Sequence, residues 1–360
     1  MYSPTQLLLI YIGLFCAAAV FSLLINSLFM RFAHTLGIRD HGDLVRWSAS
    51  SKPAFGGIGF FIIFLGSFSV YTTIFPKLSD PLQPELLGLL AATGLAFLMG
   101  LADDAYNTRP LLKFMVQVIC GIVLILSGSS IQLFEHQWLN WLITVFWVVG
   151  MMNSINMLDN MDAITSVVSI FILACGLVVH LLNGGAQSLQ MVIIVGVMAA
   201  VAGFLFFNWN PSRMYMGDTG SQFLGVYLAF VGVQCFWNEP ARNGTMEPMR
   251  QVVTTLIVFL LPIVDTTTVT INRILRGRSP FVGGRDHTTH HMSYAGLTDQ
   301  QVAMIFGALG TLSLFFTFVI VRLIPVWKSI HTVVFIVYAV LLFGLLFGLT
   351  KLKRSTAPKE

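Results

Sequence analysis

The chain has 360 residues, of which 56% are hydrophobic and only 10% charged, with a net charge of +4 and a mean hydropathy of +0.81. Soluble domains carry about 25% charge, so a soluble fold of this length could not keep its surface solvated, and the chain reads as an integral membrane protein. The small positive charge does not point to nucleic acid, because what matters is where the basic residues sit; no nucleic-acid partner is expected.

A helix needs about 20 mainly apolar residues to cross the hydrocarbon core. In chain order, such runs cover Leu7–Phe29, Gly56–Phe75, Leu86–Leu101, Phe114–Leu133, Trp138–Met152, Ala163–Leu182, Leu189–Asn208, Gly220–Trp237, Val252–Ile271, Val302–Val321 and Ile330–Leu349. The third and fifth are short and are expected to extend into the neighbouring loops. The first has no basic stretch before it and is too long for a signal peptide, so it reads as a retained span. The runs are continuously apolar rather than alternating, which excludes a β-barrel. The expected fold is therefore all-α, a polytopic membrane bundle of about eleven spans in one catalytic domain, residues 1–360, with a basic tail at 351–360. The four cysteines lie inside apolar runs with no metal-ligand spacing, as small buried hydrophobes do.

With the N-terminus outside, the basic residues divide about three to one in favour of the inner loops. The positive-inside rule thus puts the N-terminus out and the C-terminus in. The acidic residues are more informative. Asp103, Asp104, Asp159, Asp162, Asp218 and Asp286 all fall on the inner side, at span ends or in short loops. Carboxylates at the edge of a membrane core are expensive unless paired, hydrated or metal-bound, so their convergence on one face suggests a site.

Five elements carry that site in chain order. Lys52-Pro-Ala-Phe-Gly56-Gly57 opens the second span; the glycines permit close backbone approach and Lys52 suits a phosphate. Asp103-Asp104 ends the third span. Two adjacent carboxylates cannot both stay buried and ionised without a cation, and hard oxygens suit Mg²⁺, although a solvated helix end reads the same way. Asn153, Asn156, Asp159 and Asp162 follow at steps of three, which places four polar groups on nearly one helix face. Met216-Gly-Asp218-Thr-Gly-Ser221 opens the eighth span, a geometry suited to phosphate or a metal held against it. By itself it is also an ordinary capped turn. The loop from Arg273 to Asp299 holds Arg276, Arg278, Arg285, Asp286, His287, His290 and His291, and the i, i+3, i+4 spacing of the three histidines would set them on one helical face. Without a cysteine or a clear fourth ligand, anion binding explains this loop better than zinc.

In this order the elements resemble the polyprenyl-phosphate N-acetylhexosamine-1-phosphate transferase family of bacterial cell-envelope synthesis. The motifs that carry the resemblance are K-P-x-x-G-G, L-x-D-D with Lys113-Phe114-x-x-Gln117, N-x-x-N-x-x-D-x-x-D, N-x-x-P-x-x-x-Y-M-G-D-x-G-S and a late basic loop with His-His. An eleventh span with a basic tail, and Met292-Ser293 after His290-His291, look more like the WecA/TagO-type branch than the lipid I branch, which acts on UDP-MurNAc-pentapeptide. Asn160 and Ala163 stand where the family pattern usually has glycine.

The resemblance implies transfer of N-acetylglucosamine-1-phosphate, or a related aminosugar phosphate, from a UDP-N-acetylhexosamine to undecaprenyl phosphate. The enzyme would sit in the bacterial inner membrane with its site facing the cytoplasm. It implies Mg²⁺, with Mn²⁺ as a substitute, held by Asp218 with Asp104 and Asn156. Catalysis would fall to Asp103, Asp104, Asp159 and Asp162. Substrate would be bound by Lys52, Lys113, Asn153, Asn156, Asp159, Arg278, Arg285, His287, His290 and His291. Membrane lipid surrounds such a bundle, which also accommodates a homodimer. A UbiA-type prenyltransferase would need a second Asp-rich motif, which is absent. A secondary transporter would show repeated, broken helices with ionisable groups at span centres.

Overall fold

The computed structural model describes residues 2–32, 52–75, 83–241, 244–279 and 284–352, so most of the basic tail at 351–360 lies outside the described residues. Among the described residues the regular structure is entirely helical. The helices are α1 (Pro4–Phe32), α2 (Gly56–Ile74), α3 (Pro84–Tyr106), α4 (Pro110–Leu126), α5 (Gln137–Leu158), α6 (Ile164–Leu182), α7 (Leu189–Asn208), α8 (Gly217–Gly232), α9 (Pro248–Val258), α10 (Leu260–Leu275), α11 (Thr288–Tyr294), α12 (Asp299–Phe318) and α13 (Ser329–Leu349). Wider π turns prolong α8 over Val233–Trp237 and α12 over Val319–Leu323. Proline at the first helical position starts α3, α4 and α9, where its missing N–H costs nothing.

Nine of the described helices are long and apolar enough to cross a membrane, and the bent pair α9–α10 makes a tenth. Counting α4, which has 17 residues and is shorter, they follow the expected runs in order. The two short runs lengthen as expected into α3 and α5. Two runs differ from expectation. The fourth does not reach Leu133, because the chain leaves α4 through Ser127 and a left-handed Gly128 at φ 91°. The ninth is broken, with α9 and α10 meeting at 76° around Phe259. Pro262 has no N–H for the carbonyl four residues back, and its ring crowds that turn.

Contacts between helix ends gather the site at one end of the bundle. Gly57 N at the start of α2 meets Met216 O before α8, at 3.2 Å, and Asp104 at the end of α3 meets the first amides of α8. At the same end, Asn272 Nδ2 in α10 donates to Thr350 Oγ1 beyond α13, at 3.0 Å. Helix α8 is the central element, with every side chain from Thr219 to Val231 buried among its neighbours. Apolar burial gains little between helices in lipid, where close approach and interhelical hydrogen bonds hold the bundle. Trp147 Nε1 donates to Ala229 O at 3.0 Å, Ser154 Oγ to Pro262 O at 2.8 Å, and Ser22 Oγ to Ala200 O at 2.7 Å.

Candidate active site

The first turn of α8 is presented by a braced loop. Asn208 closes α7, accepts from Ala163 N at 3.0 Å and donates to Met214 O at 3.1 Å. Asp162 accepts from Asn210 Nδ2 at 3.0 Å, Ser212 N at 2.9 Å and Ser212 Oγ at 2.7 Å. The Lys-Pro segment lies alongside. Tyr215 N donates to Pro53 O at 2.9 Å, and Lys52 Nζ reaches Ser212 Oγ at 3.0 Å while lying 5.1 Å from the Tyr215 ring centre. Gly217 then turns the chain at φ 74°; a β-carbon there would lie 2.7 Å from Asp104 Oδ2 and 3.0 Å from Ala54 O. Only glycine satisfies both demands.

Asp104 caps this helix across the bundle. Its Oδ1 accepts from Asp218 N at 2.8 Å, and its Oδ2 accepts from Thr219 N at 2.9 Å and Thr219 Oγ1 at 2.6 Å. Asp103, one residue earlier, turns elsewhere. Its Oδ1 accepts from Thr108 N at 2.8 Å and Thr108 Oγ1 at 2.6 Å, and its Oδ2 pairs with Lys113. Lys113 also reaches Asp218 Oδ2 at 3.0 Å, while Asp218 Oδ1 accepts from Asn156 Nδ2 at 2.7 Å. Asp159 is half-buried where α5 ends; burial, and then the negative Asp218, push it up to about 7. Asp103, Lys113, Asn156, Asp159 and Asp218 thus share one electrostatic neighbourhood.

Behind it runs a polar ladder. Asn153 Nδ2 donates to Gln117 Oε1 at 2.7 Å, and Gln117 Nε2 donates to Gln222 Oε1 at 3.1 Å. Helix α11 closes the other side, with Thr289 Oγ1 donating to Asn160 Oδ1 at 2.6 Å. It is anchored from α10 by Asp265, which accepts from Thr288 N at 2.8 Å and Thr288 Oγ1 at 2.6 Å and contacts His287 Nδ1 at 2.8 Å. Arg273 grips Asp286 in two bonds of 2.9 and 2.7 Å. Burial works against ionisation of Asp286, but this pair holds it below the usual carboxylate range. His290 is half-buried with Nδ1 unpartnered; burial and then the adjacent His287 bring it down to about 4. His291 is buried beside Tyr294, and Arg278 and Arg285 are exposed.

Several expectations change on these contacts. Both oxygens of Asp104 serve the α8 cap, so in this structure it holds the backbone of Asp218. Asn156 meets Asp218 through its donor nitrogen, which orients the carboxylate. Asp162 braces the loop before α8. Asn153 belongs to the polar ladder, and His287 is an anchor that precedes α11 rather than part of its face. Thr108, Gln222, Asp265 and Arg273 were not among the expected site residues, while Asp286, expected among the inner carboxylates, is held by Arg273. Of these, only Asp265 had a readable signal, as an ionisable residue inside an apolar run.

Residues 86–236, which span α3 to α8 and hold all of the clustered carboxylates, match the model of glycosyl transferase family 4. The chain is 24% identical over 333 residues to a probable undecaprenyl-phosphate N-acetylglucosaminyl 1-phosphate transferase of Bacillus subtilis, covering 89% of this chain and 86% of that protein. It is also 24% identical over 312 residues to an undecaprenyl-phosphate alpha-N-acetylglucosaminyl 1-phosphate transferase of Yersinia pestis, covering 82% and 79%. A phospho-N-acetylmuramoyl-pentapeptide-transferase of Bacillus cytotoxicus is 27% identical over 323 residues, covering 82% and 93%. Over residues 86–236 the chain is thus similar to glycosyl transferase family 4. The family 4 match ends before α9, so Asp265 and the histidine loop lie beyond it. Within it, Ala163 adopts a left-handed backbone at φ 68°. This conformation costs an L-residue roughly 1–2 kcal/mol, which accounts for glycine as the usual choice there. Its bond to Asn208 and full burial hold the alanine in place.

Proposed function

We propose that this chain transfers N-acetylglucosamine-1-phosphate, or a closely related N-acetylhexosamine-1-phosphate, from a UDP-sugar to undecaprenyl phosphate. An oxygen of the lipid phosphate forms a bond to the β-phosphorus of the donor, the α–β anhydride bond breaks, and UMP leaves with the bridging oxygen. One phosphoanhydride replaces another, so the work is alignment and neutralisation of two anions. The observation that carries the reading is the convergence of Asp103 Oδ2 and Asp218 Oδ2 on one cation position, at the end of a membrane bundle whose relatives bear such names.

Among the described residues no three His, Cys, Asp or Glu side chains form a metal cage. Mg²⁺ rarely uses one, being held by one or two carboxylates with water and substrate phosphates. Two hard carboxylate oxygens therefore fit it, and Asp103 and Asp218 would be the holders, with Mn²⁺ as a substitute. When bound, such an ion neutralises the donor diphosphate. Asp159, poised near neutrality, accepts a proton from the acceptor phosphate. His290, neutral at pH 7, offers a hydrogen bond to the donor, and Arg278 and Arg285 draw it in from the rim.

Detergent-purified protein should release UMP from UDP-N-acetylglucosamine only with undecaprenyl phosphate and Mg²⁺ both present. Absence of UMP under those conditions, with release from UDP-MurNAc-pentapeptide, would move the chain to the lipid I reaction.

The charge bias supports a site that faces the cytoplasm, which in the proposed reading is that of a bacterium with the enzyme in its inner membrane. Cysteine replacing exposed Thr245 should be labelled from outside intact cells, and cysteine replacing exposed Arg278 should not. The reverse pattern would invert the orientation.

A further inference from the structure

Lys113 occupies the position that a divalent cation would need. Thr108 takes Asp103 Oδ1 with bonds of 2.8 and 2.6 Å, and Asn156 takes Asp218 Oδ1 at 2.7 Å. Each carboxylate is thereby left with Oδ2 for a cation, and both Oδ2 atoms turn to Lys113 Nζ, at 3.0 Å from Asp218. An ion bound at the ~2.1 Å typical of Mg²⁺ would have to sit almost on the ammonium. Sterics and like charge forbid both at once.

We infer that Lys113 is a displaceable stand-in for the divalent cation, holding Asp103 and Asp218 together until the ion arrives and then turning to the phosphate that comes with it. This rests on the proposed metal-dependent transfer. Three features permit the exchange. Lys113 sits in the first turn of α4 on a flexible four-carbon stem. Its side chain is 25% exposed and that of Asp218 is 29% exposed, so the ammonium has a way out. Asp104 clamps the α8 amides independently of Lys113, so the exchange moves side chains and leaves the backbone in place.

The test is direct Mn²⁺ binding to the full-length detergent-purified protein without substrates, read by electron paramagnetic resonance. Lys113→Met removes the competing charge and should tighten Mn²⁺ at least tenfold, although transfer falls because the phosphate loses its ammonium. Lys113→Arg keeps a competing charge and should bind Mn²⁺ no more tightly than the wild type. Equal or weaker Mn²⁺ binding in a Lys113→Met protein with normal gel-filtration behaviour would overturn the inference. A second measurement needs no variant. Reductive methylation of Lys113, followed by mass spectrometry, should speed up at least threefold when Mg²⁺ and UDP are added, and an unchanged rate would overturn the inference equally. Transfer that survives complete chelation would overturn the metal reading itself, and the stand-in with it; the Mn²⁺ results in the wild type distinguish the two failures.

Discussion

Asp218→Asn is expected to lower turnover by about 10³-fold or more, equivalent to about 4 kcal/mol of transition-state stabilisation, in a protein that inserts and purifies normally. The substitution is nearly isosteric. Its amide oxygen can still accept from Asn156, and the backbone amides that Asp104 caps are untouched. What it removes is one of two negative charges at the cation position, where a carboxylate cannot be replaced by a neutral oxygen without weakening a hard ion. Asp104→Asn should also lose activity, for a different reason, since an amide oxygen cannot replace both oxygens that receive Asp218 N, Thr219 N and Thr219 Oγ1. UMP release measured across a wide Mg²⁺ range separates the two. Residual Asp218→Asn activity should shift to higher Mg²⁺, and Asp104→Asn activity should fall without that shift. Turnover within tenfold of wild type for Asp218→Asn at saturating Mg²⁺ would remove Asp218 from the site.

The membrane spans were readable because a bilayer demands long continuous apolar runs whatever the tertiary contacts. The site-bearing loops were readable because ionisable groups at a membrane boundary are costly without a purpose. Which carboxylate does what was not readable. Adjacent positions on a helix point about 100° apart, so Asp103 faces Lys113 while Asp104 faces α8, and that choice depends on how α3 is rotated against its neighbours. The histidine spacing misled in a similar way. His287, His290 and His291 share a face only if all are helical, but α11 begins at Thr288 and His287 turns back to Asp265. Pro262 marked a weak point in the ninth run without announcing the sharp bend, which brings Asp265 into reach of α11.

This arrangement makes Asp265 a link between the last third of the chain and the carboxylate cluster. Asp265 caps Thr288, and the next residue, Thr289, bonds Asn160 in the loop between Asp159 and Asp162. A shift of α10 would therefore be felt at Asn160, beside Asp159, through a short series of hydrogen bonds. The α3–α8 segment supplies the charges, and the bent pair with α11 holds the wall opposite them.

Close packing of α3 on the first turn of α8 should make Gly100→Ala nearly as damaging as loss of a carboxylate. A β-carbon at Gly100 would lie 2.5 Å from Thr219 Cα and 2.6 Å from the carbonyl carbon of Asp218, both backbone atoms that no rotamer change can move. On the opposite side of the same turn, a β-carbon at Gly57 would lie 2.5 Å from Gly220 Cα, so α8 cannot retreat towards α2. Restoring ordinary contact requires about 1 Å of separation between α3 and α8, and the 2.8–2.9 Å caps from Asp104 to Asp218 N and Thr219 N span that same gap. Overpacking of this kind costs roughly 1–3 kcal/mol of stability, and misplacing catalytic groups by about 1 Å costs on the order of 10² in rate. Gly94, on the same helix, is the control, because a β-carbon there meets nothing within 4 Å. Gly94→Ala should be stable and active, with a gain of up to about 1 kcal/mol from helix propensity. Thermal unfolding in detergent and UMP release on both variants decide the matter: if Gly100→Ala keeps more than a tenth of wild-type turnover, the contact between α3 and the first turn of α8 does not set the geometry of the carboxylates.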